Sequence, residues 1–280
     1  MAEACFPHPK GWTFQGALPH QTLERCTVRA LTALFRNSIA KRPPCEAKWQ
    51  VTLQVSIDFN TIWARLCRPF LTPRDFKSYY RLLHRSMLTR NVRAKVCPEA
   101  QVGPSGTDNE ICRMCLLERE TFSHIYKCWE VVQIFEVFSN LARKLGTPIS
   151  NSEPMRVLGL TSDESTVPGT LSDLHIIVWK FVILHMVRVE TDKVKFDRQE
   201  IWRCAIRRQE GRLQAHAERT RRRVITKGGL PALEMQRLSA EVAPLAEYNE
   251  SGNLVPAAAW SDELERMRMS EAVNRRRPRR

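Results

Sequence analysis

The sequence lacks the features of a secreted or membrane-spanning chain. Its nine cysteines are odd in number and irregularly spaced, so they do not form the framework of a small disulfide-stapled domain. Its first residues contain no apolar core before a small-residue cleavage site, which a secretory leader requires. No uncharged apolar run of about 18 residues occurs. We therefore expect reduced thiols, no membrane span, and a location in the cytoplasm or the nucleus.

Acidic residues are also scarce relative to basic ones. Lys and Arg number 44 against 30 Asp and Glu, which gives a net charge of +14. This surplus favours an anionic partner, most simply RNA or DNA bound through its phosphates, or an acidic membrane surface. Since no membrane span is expected, we favour nucleic acid and predict no membrane partner. Hydrophobic residues make up 43% of the chain, so at least part of it folds around a core.

One stretch carries cysteine and histidine at the spacing of a metal site. Two residues separate Cys112 from Cys115, so both thiolates can hold one side of a metal ion from a tight turn. His124 and Cys128 are four apart, so on a helix they project from the same side and can close the site. Zinc prefers four S or N ligands in a tetrahedron, and a site with four protein ligands is structural. The alternative is three reduced thiols and a histidine in an ordinary core.

Apolar periodicity predicts a mostly α fold with at most one or two short strands. Residues 49–59 alternate between apolar and polar types, which favours a half-buried strand. A short helix is expected after Asn60. Thr72 then has the character of an N-cap, with Pro73 at the first helical position and Asp75 three residues after the cap.

The helix that follows Thr72 is amphipathic with one basic face. The basic residues are Arg74, Lys77, Arg81 and Arg85. This face either is simply solvated or lies along phosphates. Tyr79 and Trp129 are candidates for stacking on unpaired bases, and the alternative is that both belong to the core.

Three further helices are expected after residue 120. Thr121 is a suitable N-cap for a helix that carries both His124 and Cys128 and continues to Leu145. Residues 174–189 are apolar almost all round, which predicts a buried central helix. Another helix, over 199–224, is rich in arginine.

These patterns divide the chain into five segments. We expect an irregular N-terminal extension over 1–47, with one helix between 22 and 40, followed by a zinc-binding domain over 48–146. A linker that contains Ser, Asn and Pro covers 147–171, and a helical basic segment covers 172–225. The last segment is a weakly structured tail over 226–280, with one weak helix over 230–248. The tail ends on a basic, disordered C-terminus, Arg275–Arg280, which import receptors are able to read.

The arginine-rich helix supplies most of the predicted nucleic-acid contacts. The expected phosphate ligands are Arg203, Arg207, Arg208, Arg212, Arg219, Arg221, Arg222 and Arg223. Contacts of this kind give affinity that falls with salt and little base specificity. Replacing Arg207, Arg208 and Arg212 by Ala is expected to weaken binding to all sequences alike.

Several of these motifs occur together in one known family. The matching residues are Trp63, Tyr80 to His84, Leu88 and Thr89, Cys112 and Cys115, Glu120 and Thr121, His124 and Cys128. In this order they resemble the zinc-binding region that follows the reverse transcriptase domain in LINE-type (non-LTR) retrotransposon polyproteins. The resemblance covers about residues 58–210. It implies a zinc site at the four Cys and His positions and an ancestor that helped a reverse transcriptase hold template RNA or target DNA.

The chain also departs from that family. Tyr80 stands where the family usually has Trp, and a longer loop precedes Cys112. No Asp-Asp pair is present to hold the two metal ions of polymerisation, and no Gly-rich phosphate loop or endonuclease set is recognisable. We therefore predict that the chain is no enzyme but a detached C-terminal piece of such a polyprotein that binds RNA or DNA. A reverse transcriptase supplied in trans is a further candidate partner. The alternative is a decayed remnant or a protein-interaction helical domain, in which zinc is purely structural and no nucleic acid is bound.

Overall fold

The computed structural model describes residues 44–57, 59–66, 68, 71–87, 89–90, 110–161, 165–249 and 251–276. Backbone contacts divide the chain into two compact units, 1–47 and 48–280. The helix predicted between residues 22 and 40 lies outside the described residues. The architecture below is that of the second unit, together with the helix that begins at Pro44.

Helices dominate the described residues, as the sequence predicts. In chain order the elements are α1 (Pro44–Leu53), α2 (Phe59–Leu66), α3 (Pro73–Leu83), α4 (Phe122–Lys127), α5 (Trp129–Lys144), α6 (Glu153–Leu158), α7 (Gly169–Thr191), α8 (Arg198–Lys227), α9 (Ala232–Val242), β1 (Ala246–Tyr248), β2 (Leu254–Pro256) and α10 (Ala258–Arg276). The strands β1 and β2 form one antiparallel hairpin, in which Glu247 pairs with Val255.

Helix α7 is the centre of the unit, and α3, α5, α8 and α9 pack against it. Every residue from Thr170 to Trp179 is buried, so this half of the helix contacts protein on all sides. The helix is long and apolar enough to cross a membrane, but 72% of its most apolar window is buried inside the protein. The predicted central helix is therefore confirmed, and it begins at Gly169.

The strand predicted over 49–59 is wrong, because residues 49–53 belong to α1, Gln54 lies in a turn, and Phe59 begins α2. Trp49 and Leu53 are buried, whereas Val51 between them is 81% exposed. A strand would place all three side chains on one face, but a helix turns Val51 away from the other two. The indole of Trp49 donates a hydrogen bond to the carbonyl of Leu83 at 2.7 Å, which ties α1 to α3.

The beginning of α3 follows the predicted capping pattern. Thr72 has extended backbone geometry at the N-cap, and Pro73 opens the helix. The Asp75 carboxylate accepts a hydrogen bond from the backbone amide of Thr72 at 3.1 Å. This reciprocal contact satisfies an amide that the helix itself leaves without a partner.

A buried arginine joins α2 to α6 and α7. The Arg65 guanidinium donates to Ser172 Oγ at 2.5 Å and to the carbonyl of Leu158. Its Nη2 also lies 3.1 Å from His175 Nδ1. Burial and the charge of Arg65 lower the pKa of His175 well below its ordinary value, so the imidazole is neutral and accepts at Nδ1. Gly159, in the left-handed region at φ 64°, leaves the room that this guanidinium fills.

The segment expected to be a linker, 147–171, contains α6 and buried residues. Ser152 caps this helix by accepting a hydrogen bond from the Met155 amide at 3.3 Å. Residues 155–160 are all buried. Ser, Asn and Pro are common both in loops and at the starts of helices, and some of those in this segment start α6. Composition alone therefore does not distinguish this segment from a loop.

The segment expected to be a weakly structured tail, 226–280, contains α9, the hairpin and α10. Trp260 of α10 is 1% exposed, and Leu238, Val242 and Leu245 are also buried. Helix α10 packs against α5 and extends to Arg276. Residues 277–280 of the predicted disordered C-terminus lie outside the described residues.

Candidate metal centre and basic surfaces

Cys112 and Cys115 lie in a tight turn that one backbone bridge closes. Ile111 and Arg119 form an isolated antiparallel bridge, which brings the two ends of the turn together. Within it the Cys112 amide donates to the carbonyl of Glu118 at 2.6 Å, and the Leu116 amide donates to the carbonyl of Cys112 at 2.9 Å. Leu116 has a positive φ of 58°, which allows the chain to reverse after Cys115. The turn presents both sulfurs on the same side.

His124 lies in α4, whereas Cys128 lies between α4 and α5. Thr121 caps α4 as predicted, and its hydroxyl accepts a hydrogen bond from the His124 amide at 3.1 Å. The predicted single helix to Leu145 is wrong, because Cys128 leaves helical geometry at φ −53° and ψ 127°. Cys128 ends α4 and immediately precedes α5. This break lets the Cys128 side chain turn back toward the cysteine turn.

The four predicted ligands meet at one point. Their ligand atoms all lie within 4.8 Å of one another. The contact between Cys115 Sγ and His124 Nε2 is 3.4 Å. In a tetrahedron with zinc–sulfur bonds of about 2.3 Å, neighbouring ligand atoms are about 3.8 Å apart, so this cluster has the dimensions to hold a metal ion. Cys112 and Cys128 are fully buried and His124 is nearly so.

Hydrogen bonds shift the pKa values of two thiols of the cluster in opposite directions. The pKa of the Cys112 thiol lies well below its ordinary value, because its sulfur accepts hydrogen bonds from Cys128 and from the amides of Cys115 and Met114. The same side-chain hydrogen bond and burial raise the pKa of Cys128. Metal ligation would require the thiolate form of both residues.

A carboxylate orients the histidine. His124 Nδ1 lies 3.0 Å from Glu118 Oε2, which leaves Nε2 directed at the sulfurs. Metal-binding histidines usually donate their second ring nitrogen to a carboxylate or carbonyl in this way. Sequence reasoning missed Glu118, because its relation to His124 depends on how the turn closes.

A buried ion pair holds the cysteine turn in shape. Glu120 is fully buried and accepts from Arg113 Nε at 2.8 Å and Nη2 at 2.6 Å. It also accepts from the amide of Arg90 at 2.9 Å. Arg90 in turn pairs with Glu190 near the end of α7 at 2.8 Å. The residue next to the helix cap is therefore a structural acceptor that connects the turn to the central helix.

The eight arginines predicted to contact phosphates fall into different environments. Arg203 pairs with Glu200 at 2.5 Å, and Arg222 pairs with Glu218 at 2.9 Å. Arg208 and Arg212 both bind Asp75, and Arg212 is only 8% exposed. Three more are exposed and have no ion-pair partner within the described part of the chain; these are Arg219, Arg221 and Arg223. Arg207 is exposed as well. The structure thus removes Arg212 from the exposed basic face.

Arg208 and Arg212 of α8 both form ion pairs with Asp75 of α3. Its carboxylate is fully buried and accepts from Lys180 Nζ at 2.9 Å, Arg208 Nε at 3.1 Å and Arg212 Nη2. Burial raises the pKa of Asp75, but the hydrogen bonds from Arg208, Thr72 and Lys180 outweigh that effect and hold it well below its ordinary value. The residue that the sequence marks as part of a helix cap is therefore also the contact between α3, α7 and α8.

The basic face of α3 remains open. Arg74, Lys77 and Arg81 are exposed and have no acidic partner among the described residues. Arg85 differs, because its guanidinium lies over the rings of Trp49 and Phe122 at 5.2 and 4.9 Å. This face, like the end of α8, therefore keeps cations available to an anion.

Of the two aromatic residues considered for base stacking, one belongs to the core. Tyr79 is fully buried, and its hydroxyl donates to the carbonyl of Val157 at 2.9 Å. Trp129 is 47% exposed, but the Arg198 guanidinium lies 4.8 Å from its ring centroid. The exposed tyrosine of α3 is Tyr80, at 45% exposure.

A cavity of about 350 Å³ opens between α5, α8 and α10. Its apolar wall includes Ile134, Trp202 and Met267. Its arginines are neutralised locally, as Arg203 pairs with Glu200 and Arg266 pairs with Glu263 at 2.6 Å. This cavity therefore presents little net positive charge.

No protein-family model, curated protein or solved structure matches this chain. The resemblance to LINE-type polyproteins accordingly remains a hypothesis based on the motifs themselves.

Proposed function

We propose that this chain is a non-catalytic nucleic-acid-binding module in which the Cys3His cluster holds one structural zinc ion. The observation that carries the proposal is a set of exposed cations with no acidic partner within the described part of the chain. Three belong to α3 and three to α8; they are Arg74, Lys77, Arg81, Arg219, Arg221 and Arg223. Exposed lysines and arginines that are not ion-paired are the groups that phosphates attract, and the chain carries a net charge of +14.

Zinc is the metal that the ligand set favours. Three thiolates and one imidazole suit zinc, and four protein ligands leave no open position for a substrate. When bound, the metal would cross-link the turn at Cys112 and Cys115 to His124 of α4 and Cys128 before α5. Binding of zinc to such sites in small peptides is worth about 10–16 kcal/mol, so it would dominate folding of the turn.

The origin and location of the protein are part of the same proposal. The resemblance over residues 58–210 supports descent from the C-terminal part of a LINE-type reverse transcriptase polyprotein, with a polymerase in trans as a partner. A nuclear location fits this descent, and Arg275–Arg280 is the candidate import signal. A fluorescent fusion that lacks these six residues should move from the nucleus to the cytoplasm. A truncated fusion that stays nuclear would assign the signal elsewhere, with Arg221–Arg223 as the next candidate.

The test is a binding titration of the zinc-loaded full chain with RNA and with single-stranded DNA at 50 and 200 mM salt. If all six unpaired cations contact phosphates of a single strand, affinity should fall by roughly two to three orders of magnitude between these concentrations. The proposal would be refuted if the protein bound neither RNA nor single-stranded DNA at the lower salt concentration. That result would leave the alternative of a remnant or protein-interaction domain with purely structural zinc.

A further inference from the structure

Three rings form a surface cluster where α2 meets the end of α3. Tyr80 and His84 have ring centroids 4.2 Å apart. Trp63 of α2 lies 5.2 Å from His84 and 6.2 Å from Tyr80. We call these three residues the aromatic cluster. Tyr80 is 45% exposed, whereas its neighbour Tyr79 is fully buried, so the cluster presents one large ring to solvent.

Unpaired cations lie on the same side of α3 as this ring. Lys77, Tyr80, Arg81 and His84 occupy positions i, i+3, i+4 and i+7, which share one helix face. Both Lys77 and Arg81 are exposed and have no acidic partner among the described residues. The carboxylate of this helix, Asp75, is buried on the opposite side. The exposed ring is therefore flanked by positive charge that nothing on the helix neutralises.

Other aromatic residues near a cation are arranged differently. The ring of Trp129 is covered by Arg198, and Arg198 pairs with Glu130 at 3.0 Å. Arg85 is used between the rings of Trp49 and Phe122. In both cases the cation already contacts groups of the protein itself. At the aromatic cluster, by contrast, a ligand can reach the exposed ring of Tyr80 and the cations Lys77 and Arg81 at the same time.

We propose that the aromatic cluster with Lys77 and Arg81 binds an unpaired nucleotide segment, so that the module prefers single-stranded nucleic acid. A base would stack on the exposed face of Tyr80, and the adjoining phosphates would lie at the two cations. A duplex keeps its base faces stacked inside, so it gains only the phosphate contacts. This inference rests on the proposed function and specifies which form of nucleic acid the module binds and where.

The first experiment measures binding of a labelled single-stranded RNA, a single-stranded DNA and a matched duplex by fluorescence anisotropy. Tyr80→Ala should weaken binding of both single strands by about 5- to 100-fold and leave duplex affinity and the salt slope unchanged. Tyr80→Phe should bind like the wild type, because it retains the ring. Arg81→Ala should reduce the salt slope for single strands by about 0.7, whereas Arg143→Ala, which removes an exposed arginine from α5, should not.

Trp129→Leu is the matched control for an exposed ring elsewhere, and its single-strand affinity should equal that of the wild type. Thermal melting of each variant checks that the fold is kept. If the wild type binds and Tyr80→Ala binds equally well, the aromatic cluster is not the site, while the proposed function stands. If the wild type binds nothing, both fail.

A second measurement does not depend on a variant. An RNA that carries 5-iodouridine is photocrosslinked to the wild-type protein, which is then digested with trypsin. The proposal predicts a crosslinked peptide Ser78–Arg81, and Tyr79 is too deeply buried to account for it. Crosslinks found only on other peptides would overturn the assignment.

Discussion

At the scale of single residues, the structure assigns Asp75 a larger role than the sequence indicates. One buried carboxylate receives hydrogen bonds from Lys180 and two arginines that lie more than 130 positions away. Buried charges of this kind are tolerated only when they are paired and hydrogen-bonded. The cations of α8 that bind Asp75 stabilise the fold, so they are poor positions at which to test nucleic-acid binding.

The substitution Asp75→Asn should destabilise the protein by about 3–5 kcal/mol, because it leaves Arg212 and Lys180 buried or half-buried without their counter-charge. The measurement is urea unfolding followed by circular dichroism. Asp262→Asn, which changes an exposed acid on α10, should shift the free energy of unfolding by no more than about 0.5 kcal/mol. Equal stability of the Asp75 variant and the wild type would contradict the role assigned to this carboxylate.

The same residue predicts a dependence on pH. The pKa of Asp75 is lower in the folded protein than its ordinary value of about 3.9 in an unfolded chain. Its contribution is therefore fully present above about pH 4 and is lost as pH falls toward the folded pKa. The difference in unfolding free energy between the wild type and Asp75→Asn should shrink below pH 4. Acid release of metal affects both proteins alike, so it cancels from the difference.

At the scale of elements, the candidate metal centre connects a turn to two helices that the sequence presents as one. Cys128 has to leave helical geometry so that its sulfur reaches the other ligands, and α5 then begins immediately after it. Beyond Cys128, α5 is held by its own packing, as Ile134, Phe135 and Phe138 are buried. Loss of metal should therefore unfold the cysteine turn before it destabilises the packed core.

Changing Cys115→Ser should lower the zinc content to well below one per chain and unfold the cysteine turn. Hydrogen exchange should then show lost protection at residues 112–121, while 170–179 in α7 stay protected because they are buried by other helices. The matched control is Cys204→Ser, whose sulfur bonds Glu200 at 3.3 Å away from the cluster. Metal content that remains near one in Cys115→Ser would remove Cys115 from the ligand set.

At the scale of the whole molecule, basic residues separate into those used inside the fold and those left for a partner. Lys180, Arg208 and Arg212 serve Asp75. The exposed cations of α3 and of the end of α8 have no such use within the described residues. The net charge counts both groups together. Only the exposed cations without an ion-pair partner are relevant for binding.

The triple substitution of Arg219, Arg221 and Arg223 by Ala should therefore weaken binding of every nucleic acid alike and flatten the salt dependence by about 2 for single strands. Its melting temperature should stay near that of the wild type, because these side chains are exposed. The triple change at Arg207, Arg208 and Arg212 should instead unfold the protein in part, because Arg208 and Arg212 bind the buried Asp75. Unchanged affinity in the new variant would show that α8 is not a binding surface.

The sequence by itself determined the features that depend on neighbours along the chain. The cluster of Cys112, Cys115, His124 and Cys128 follows from their spacing, the start of α3 from Thr72 and Pro73, and the cap of α4 from Thr121. The central helix follows from an apolar composition that no exposed helix would carry. Each of these signals lies within a few turns of the residues it describes, so no long-range contact is needed to interpret it.

Only the tertiary structure decided how distant residues are used. Residues 49–59 fit a strand pattern, but the burial of Trp49 against α3 and α4 selects a helix. Arg208 and Arg212 have the same local sequence character as Arg219 and Arg221. The carboxylate of Asp75 in α3 pairs with the first two, whereas the second two have no ion-pair partner within the described residues. The physical reason is that charge pairing and burial depend on which surfaces meet in space, and the local pattern of a helix does not specify its partners.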